Sequence, residues 1–172
     1  KRLLPRAAGH RAGAKAVRNA IEFAVSQRIE VLTLFALSIE NLRHRPEREV
    51  NLLLDLFMQS LLKNTQELHA NNVRIHIIGD CSCLKQTLCQ QIEKTQQLTA
   101  NNTGLNLVIA VNYSGRWDIT QAATKLASKV ATQQLVATEI SEQLLNQELC
   151  LSQFAEPDLL IRTGNEQRIS NF

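Results

Sequence analysis

Apolar residues recur early in the chain at the spacing of an amphipathic helix, and a short apolar run of strand type follows them. The helical spacing covers residues 11–27, and the run covers residues 31–37. A longer amphipathic pattern extends from Glu47 to His69, directly after Pro46. Proline is favoured at the start of a helix because its fixed φ suits the first turn. The pattern therefore predicts a helix, a buried strand and a second helix.

The second helix has an unusually broad apolar face. Its apolar members are Val50, Leu53, Leu54, Phe57, Met58, Leu61 and Leu62. A face of that width needs two packing partners or an apolar ligand.

Strand and helix patterns alternate along the rest of the chain. We predict strands at residues 73–78, 105–111 and 158–161, and helices at residues 84–98, 117–130 and 139–149. Such alternation is typical of an α/β fold with a mostly parallel sheet and helices on both faces. The sequence has no linker or internal repeat, so we expect a single domain over residues 1–172.

Composition excludes several classes of protein. The chain has 172 residues, of which 44% are hydrophobic, and this is enough to fill a core. Its net charge of +3 comes without a basic stripe or interleaved aromatic residues, which argues against nucleic-acid binding. The four cysteines lack the spacing of a zinc site or a secreted disulfide framework, so we expect reduced thiols in a cytoplasmic protein. The chain begins at Lys1, and we expect a fragment that lacks both ends.

Three polar segments follow predicted strands, where parallel α/β sheets bind their ligands. They cover residues 38–46, 112–118 and 162–171, and each contains arginine. In the last segment Arg162 and Arg168 bracket a loop with Ser170 nearby, an arrangement that suits a phosphate-like anion. Surface ion pairs with Glu40, Asp118 or Glu166 are the alternative for these arginines. For the two arginines and the serine together we favour anion binding.

A second candidate anion site lies near the start of the chain. Residues 5–13 lead into the first predicted helix, whose free N–H groups would act together with Arg6 and His10. The other histidines lack metal-ligand spacing and receive no role. Two anion sites beside a broad apolar helical face suggest a substrate with a diphosphate head and a hydrocarbon tail.

The chain resembles the bacterial undecaprenyl diphosphate synthases, which are isoprenyl transferases of the cis-prenyltransferase family. The matching motifs occur in order over nearly the whole chain, at residues 9–15, 34–41, 72–80, 115–119 and 158–164 with 168–172. The last is the most specific, because it combines Arg-Thr-Gly with Arg-Ile-Ser-Asn-Phe.

The resemblance implies a transferase that condenses isopentenyl diphosphate onto an allylic diphosphate such as farnesyl diphosphate. Its product would be a long cis-polyprenyl (undecaprenyl) diphosphate, the lipid carrier precursor for cell-wall synthesis. The resemblance also implies a homodimer, a hydrophobic tunnel walled by the helix of residues 47–69, and peripheral membrane contact through the lipid product. Mg²⁺ is the implied cofactor, with its principal ligands outside this chain.

The resemblance also assigns roles to individual residues. Asn41 and His10 would be catalytic, with Asn41 near the condensing carbons in a positional role. Arg6 and His10 would hold the allylic diphosphate, and Arg162, Arg168 and Ser170 the isopentenyl diphosphate. The remaining substrate-binding residues would be Ser38, Ile39, Glu40, Arg45 and Ile169.

Several positions depart from the family pattern. Leu42 stands where the family has tryptophan, and one extra residue precedes Pro46, so that Arg45 is the counterpart of the family arginine. Ser114 and Asn165 replace loop glycines, and we expect strain there if the loop needs positive φ. Gln167 replaces a histidine.

The departures and the missing ends bear on activity. The family's metal aspartate would precede Lys1, so we expect the 172-residue chain alone to be inactive. The alternative to an enzyme is a non-catalytic remnant or partner subunit that binds diphosphates.

Overall fold

The computed structural model describes residues 6–44, 46–82, 84–163 and 171. A short 3₁₀ turn, Ala137–Glu139, precedes the last helix. In chain order the elements are α1 (Arg6–Ser26), β1 (Val31–Ser38), α2 (Ile39–His44), α3 (Glu47–Ala70), β2 (Arg74–Ile78), α4 (Gln86–Thr99), β3 (Asn106–Tyr113), α5 (Gly115–Ala131) and α6 (Glu142–Gln147).

The three strands form one parallel sheet in the order β1-β3-β2. Strand β3 is central, and its residues Leu107, Val108, Ala110 and Val111 are all fully buried. Successive side chains of a strand point to opposite faces, so burial of neighbours means that both faces of β3 are covered. The predicted α/β class with a parallel sheet is confirmed.

The chain divides into two compact units. The first contains residues Lys1–Leu34, Asp55–His76 and Gln86–Ile109, and the second contains Phe35–Leu54, Ile77–Lys85 and Ala110–Phe172.

Unit one has a polar core built from threonines. The Thr99 hydroxyl accepts a hydrogen bond from the backbone N–H of Ile75 at 3.1 Å and donates one to the carbonyl of Thr95 at 3.0 Å. The hydroxyls of Thr65 and Thr95 lie 3.3 Å apart. All three threonines are at least 95% buried, and their bonds satisfy polar groups that burial would otherwise destabilise.

Asparagine side chains in unit one hydrogen-bond the segments that precede β2 and β3. Asn102 Nδ2 donates to the carbonyl of Val73 at 2.7 Å, and the Asn72 side chain bonds both the N–H and the hydroxyl of Thr103. These bonds lie within one unit and use neutral groups only.

The predicted starts of two helices differ from the structure by three residues or more. Helix α1 begins at Arg6 rather than Arg11, so the N–H of His10 falls inside the helical hydrogen-bond ladder and only the first turn has free N–H groups. Helix α6 begins after Ser141, whose hydroxyl accepts from the N–H of Leu144 at 3.3 Å and caps the helix.

The predicted strand at residues 158–161 is wrong. These residues form no strand, and Leu159, Leu160 and Ile161 are 74%, 57% and 75% exposed. A strand exists only by pairing with another strand, and none of the three described strands pairs with this segment. An apolar run of three residues after Asp158 does not show by itself whether a partner strand is present.

Candidate active site

The first part of the candidate site is the corner between β1 and α2, in unit two. Helix α2 begins at Ile39, immediately after β1 ends at Ser38. Glu40 lies in its first turn, where the helix dipole favours a negative charge. Hydrogen bonds from the Asn171 amide, from the Glu40 backbone and from the Ser38 hydroxyl, with the nearby charge of Arg43, hold the pKa of the Glu40 carboxyl below its usual value. Glu40 is therefore an anion with partners already in place.

Asn171 joins this corner to the start of α5. Its Nδ2 donates to Glu40 Oε1 at 2.6 Å, and its carbonyl accepts from the N–H of Gly115 at 2.7 Å. Glu40, Gly115 and Asn171 belong to three different predicted motifs. The structure therefore brings together parts of three segments that the sequence assigned to one site.

The ends of β2 and β3 are bonded to each other in the same unit. Asn112 Nδ2 donates to the carbonyl of Asp80 at 2.7 Å, and the N–H of Asp80 donates to the carbonyl of Asn112 at 3.0 Å. Asn112 has a φ of 51° and Gly79 one of 121°. A Cβ on Gly79 would lie 1.9 Å from the carbonyl oxygen of Val111, so no other residue fits there without a shift.

Ser114 caps α5, and the expected strain at this position is absent. Its φ of −153° lies in the extended region, which any residue adopts. Its hydroxyl accepts from the N–H of Trp117 at 3.2 Å. Serine is among the best N-cap residues, so replacing a glycine here stabilises the start of the helix.

Asp118, in the first turn of α5, is a buried carboxylate with fixed partners. It accepts from the Tyr113 hydroxyl at 2.9 Å and from the N–H of Cys150 at 3.1 and 3.2 Å, and only 4% of it is exposed. The surface ion pair considered for Asp118 is therefore wrong, because its partners are neutral groups inside unit two.

The same cluster changes the acidity of its neighbours. Burial, followed by the hydrogen bond to Asp118 and its charge, raises the pKa of the Cys150 thiol to about 12. Burial and the charge of Asp118 also raise the pKa of Tyr113. Both groups stay protonated at neutral pH, and their protons are directed to a single carboxylate.

Aromatic rings line the same end of the sheet. Tyr113 packs edge-on against Phe35, with ring centroids 6.3 Å apart, and against Trp117, with centroids 6.1 Å apart. Phe35 is 39% exposed, so an apolar surface lies next to the polar corner.

Helix α3 carries further exposed apolar surface. Leu54 is buried, whereas Leu52, Leu56 and Leu62 are 51%, 41% and 57% exposed. Of the broad apolar face that the sequence predicts, Leu54 is thus buried and Leu62 is exposed, whereas Leu52 and Leu56 lie outside that face.

The predicted site residues fall into two groups. Ser38, Ile39, Glu40 and Arg162 are described, and the structure joins Ser38 and Glu40 through a hydrogen bond, buries Ile39 and leaves Arg162 exposed. The others lie outside the description, either as whole residues or as side chains of helices α1 and α2: Arg6, His10, Asn41, Arg45, Arg168, Ile169 and Ser170.

Cysteine and metal chemistry were also considered from the sequence. Cys81, Cys89 and Cys150 form no disulfide bond, and Cys83 lies outside the described residues. Within the described ranges, no three His, Cys, Asp or Glu side chains are grouped so that they could hold a metal ion. The helices of those ranges also include none that is long and apolar enough to cross a membrane.

Sequence reasoning missed Asn171 and the burial of Asp118. Both residues stand inside motifs that the sequence did single out, Arg-Ile-Ser-Asn-Phe and Gly-Arg-Trp-Asp. Their position inside these motifs was the one signal in the sequence that could have pointed to a role for them.

Comparison with known proteins gives consistent matches over the whole chain. The family described as "Putative undecaprenyl diphosphate synthase" matches residues 1–172. The chain is 56% identical over 172 residues to the ditrans,polycis-undecaprenyl-diphosphate synthase, (2E,6E)-farnesyl-diphosphate specific, of Coxiella burnetii, covering 100% of the chain and 72% of that protein. It is 51% identical over 167 residues to the Escherichia coli K12 protein of the same name, covering 97% of the chain and 66% of that protein.

Solved structures agree with these matches. Lavandulyl diphosphate synthase from Lavandula x intermedia, in complex with dimethylallyl diphosphate, superposes with a TM-score of 0.89 at 35% identity, covering 95% of this chain and 71% of that chain. A probable undecaprenyl diphosphate synthase from Campylobacter jejuni superposes with a TM-score of 0.81 at 32% identity, covering 94% and 74%.

Proposed function

This chain belongs to the undecaprenyl diphosphate synthase family of cis-prenyltransferases, which are transferase enzymes, and from that premise we propose that it extends an allylic diphosphate with isopentenyl diphosphate. Farnesyl diphosphate is the proposed starter, because the relatives from Coxiella burnetii and Escherichia coli are named as specific for it. The proposed product is a long cis-polyprenyl diphosphate.

One observation supports the proposal above the others. Asn171 bonds both Glu40 and Gly115, and these residues come from the three polar segments that follow predicted strands. The contacts lie beyond the carboxyl ends of β1 and β3, where parallel α/β sheets bind ligands. Phe35 and Leu52, both exposed in unit two, offer apolar surface for a hydrocarbon tail.

The proposed reaction breaks the bond between the allylic carbon and the diphosphate oxygen. The diphosphate leaves with the electron pair, the isopentenyl double bond attacks the allylic carbon, and a proton then leaves to form the new cis double bond. In this scheme Arg162, Arg168 and Ser170 bind and orient the isopentenyl diphosphate, since guanidinium forks match phosphate oxygens. Arg6 and His10 bind the allylic diphosphate and offset the negative charge that develops on it as it leaves.

Asn41 is proposed to hold the condensing carbons in register. An amide is a poor base, so its contribution is orientation of the reacting groups. Glu40, its neighbour, is already held by Ser38 and Asn171, and this fixes the start of α2.

We also propose that the enzyme uses Mg²⁺. When bound, a divalent metal neutralises charge on the diphosphate oxygens. The described residues do not group into a metal site, so the steps above are those of the chain's own side chains. A homodimer, and peripheral membrane contact in the cytoplasm through the lipid product, complete the proposal.

Turnover by the protein expressed from its complete gene tests this function. The purified protein is incubated with farnesyl diphosphate, radiolabelled isopentenyl diphosphate and Mg²⁺, and extractable labelled polyprenyl diphosphate is the expected result. R168A should raise the KM for isopentenyl diphosphate much more than the KM for farnesyl diphosphate. A folded protein that binds diphosphate without forming product would overturn the enzyme assignment and favour a non-catalytic binding subunit.

A further inference from the structure

We infer that Asn171 is a positioning residue for the proposed isopentenyl diphosphate site, acting as a clamp between Glu40 and Gly115. In the sequence, Asn171 directly follows Ser170 and stands three positions after Arg168. This inference deepens the proposed function and rests on it. It assigns Asn171 and Glu40 a role in holding the site rather than in touching the substrate.

The clamp consists of two short hydrogen bonds made by opposite ends of one residue. Asn171 Nδ2 lies 2.6 Å from Glu40 Oε1, and the Asn171 carbonyl oxygen lies 2.7 Å from the N–H nitrogen of Gly115. One bond uses the side chain and the other uses the backbone, so together they set both the position and the orientation of this peptide. Glu40 is 131 residues away in sequence, so the bond joins parts of unit two that chain connectivity leaves independent.

The Glu40 carboxylate has hydrogen-bond partners besides Asn171. The Ser38 hydroxyl and the Glu40 backbone also hydrogen-bond this carboxylate, and the charge of Arg43 lies nearby. These groups keep the carboxylate charged, and hydrogen bonds to a charged acceptor are shorter and stronger than neutral ones. The 2.6 Å distance agrees with a bond of this kind.

The covalent chain joins Asn171 to the residues that are proposed to bind the anion. Ser170 is covalently joined to Asn171, and Arg168 precedes it by three positions. Because these residues are joined to Asn171 by the chain, we expect a shift of the Asn171 peptide to weaken the binding of isopentenyl diphosphate.

The inference can be tested by exchanging the donor and the acceptor of the hydrogen bond between positions 171 and 40. N171D replaces the donating amide with a carboxylate that faces Glu40, so the two side chains repel each other. Adding E40Q to N171D gives Glu40's position an amide that can donate to the new carboxylate. The double variant thus restores a hydrogen bond of opposite direction between the same two positions.

The experiment measures the KM for each substrate and kcat for the wild type, N171D and E40Q/N171D, all made from the complete gene. We expect N171D to raise the KM for isopentenyl diphosphate about tenfold to hundredfold, which corresponds to roughly 1.4–2.8 kcal/mol. The KM for farnesyl diphosphate should change less than about twofold, within the spread of such measurements. E40Q/N171D should recover most of the loss.

Controls separate positioning from general damage. N101D makes the same change of charge at an exposed residue of unit one and should leave both KM values unchanged. N171A removes the donor without adding a charge and should raise the KM for isopentenyl diphosphate less than N171D does. Thermal unfolding and direct calorimetric binding of isopentenyl diphosphate are measured for every variant.

Outcomes separate this inference from the proposed function. Equal rises in both KM values, an unchanged KM in N171D, or no recovery in E40Q/N171D would overturn the clamp while the enzyme stands. A wild-type protein without polyprenyl product would overturn the function itself. In that case calorimetry still decides the clamp: weaker isopentenyl diphosphate binding by N171D, recovered in the double variant, supports it, and unchanged binding refutes it.

Discussion

Asn72 in unit one and Asn112 in unit two have the same left-handed backbone conformation, with φ of 58° and 51°, for different reasons. Asn72 follows the end of α3, where the N–H of Val73 bonds back to the carbonyl of Leu68, and a left-handed residue there is an ordinary helix stop. Asn112 lies inside β3, where no local rule asks for positive φ. It is held by its bonds to Asp80.

The difference extends to the polar groups around each asparagine. In unit one, neutral threonines and asparagines satisfy nearby backbone groups. In unit two, the carboxylates of Asp118 and Glu40 organise the ends of strands next to the proposed site. Unusual backbone geometry that the surroundings enforce is more often found at functional sites than in plain connections. The polar hydrogen bonds of unit one thus stabilise that unit, and those of unit two hold a surface in place.

The largest expected effect comes from the tightest backbone contact of unit two. G79A places a Cβ 1.9 Å from the carbonyl oxygen of Val111 at a φ of 121°, so the ends of β2 and β3 must separate. We expect the free energy of unfolding to fall by about 3 kcal/mol or more in urea titration. The matched change G13A meets nothing within 4 Å inside α1 and should stabilise the protein by roughly 0.5–1 kcal/mol. A tolerated G79A would show that the strand ends are not held rigidly.

The next effect concerns the buried carboxylate of unit two. D118N leaves a single acceptor oxygen for the Tyr113 hydroxyl and the N–H of Cys150, and it removes the charge that strengthens both bonds. We expect a loss of about 1.5–3 kcal/mol in urea unfolding. Y113F removes one of the donors, so the double variant should lose less than the sum of the single ones. Strict additivity would mean that the two side chains do not act as one cluster.

A smaller effect is expected in unit one. T99V removes the acceptor for the buried N–H of Ile75 while keeping the shape of the side chain. We expect a loss of about 1–2 kcal/mol in stability. Both KM values should remain unchanged, because Thr99 lies in the unit whose polar bonds serve structure. A change in the KM for isopentenyl diphosphate at full stability would contradict the division of roles between the units.

The smallest effect is a pH dependence of stability. Cys150 and Tyr113 have raised pKa values in the folded protein, so the unfolded chain releases their protons first. Their contribution is complete below the ordinary pKa values of cysteine and tyrosine, about 8.5 and 10, and is lost as the pH rises further. Urea midpoints of the wild type should therefore fall between about pH 7 and about pH 10.5 more steeply than those of Y113F/C150S. Parallel curves would exclude the cluster as the cause.

Local patterns were enough to predict most elements of the fold. The strands predicted at residues 31–37, 73–78 and 105–111 are β1, β2 and β3 with ends shifted by a residue or two, because short apolar runs between helical patterns are typical of buried parallel strands. Residues 158–161 have the same composition without a sheet partner, and the pattern could not distinguish them.

From the sequence, the motifs that form the site could be predicted, but the contacts between them could not. The polar segments at residues 38–46, 112–118 and 162–171 do converge at Glu40, Gly115 and Asn171. Which atoms bond could not be read from the chain, because Asn171 and Glu40 are distant in sequence. Asp118 was considered as a surface partner, since nothing in its neighbours indicates that Tyr113 and Cys150 enclose it.

The strand order also governs how the sheet can be assembled. The central strand, β3, is the last of the three to be synthesised, and it separates β1 from β2. Neither earlier strand has a sheet neighbour among the described strands until β3 arrives, so at least one long loop must close before any of these strands pair. A nascent chain that ends before β3 thus lacks the described strand that pairs with β1 and β2, and chaperone protection is most valuable during that interval of synthesis.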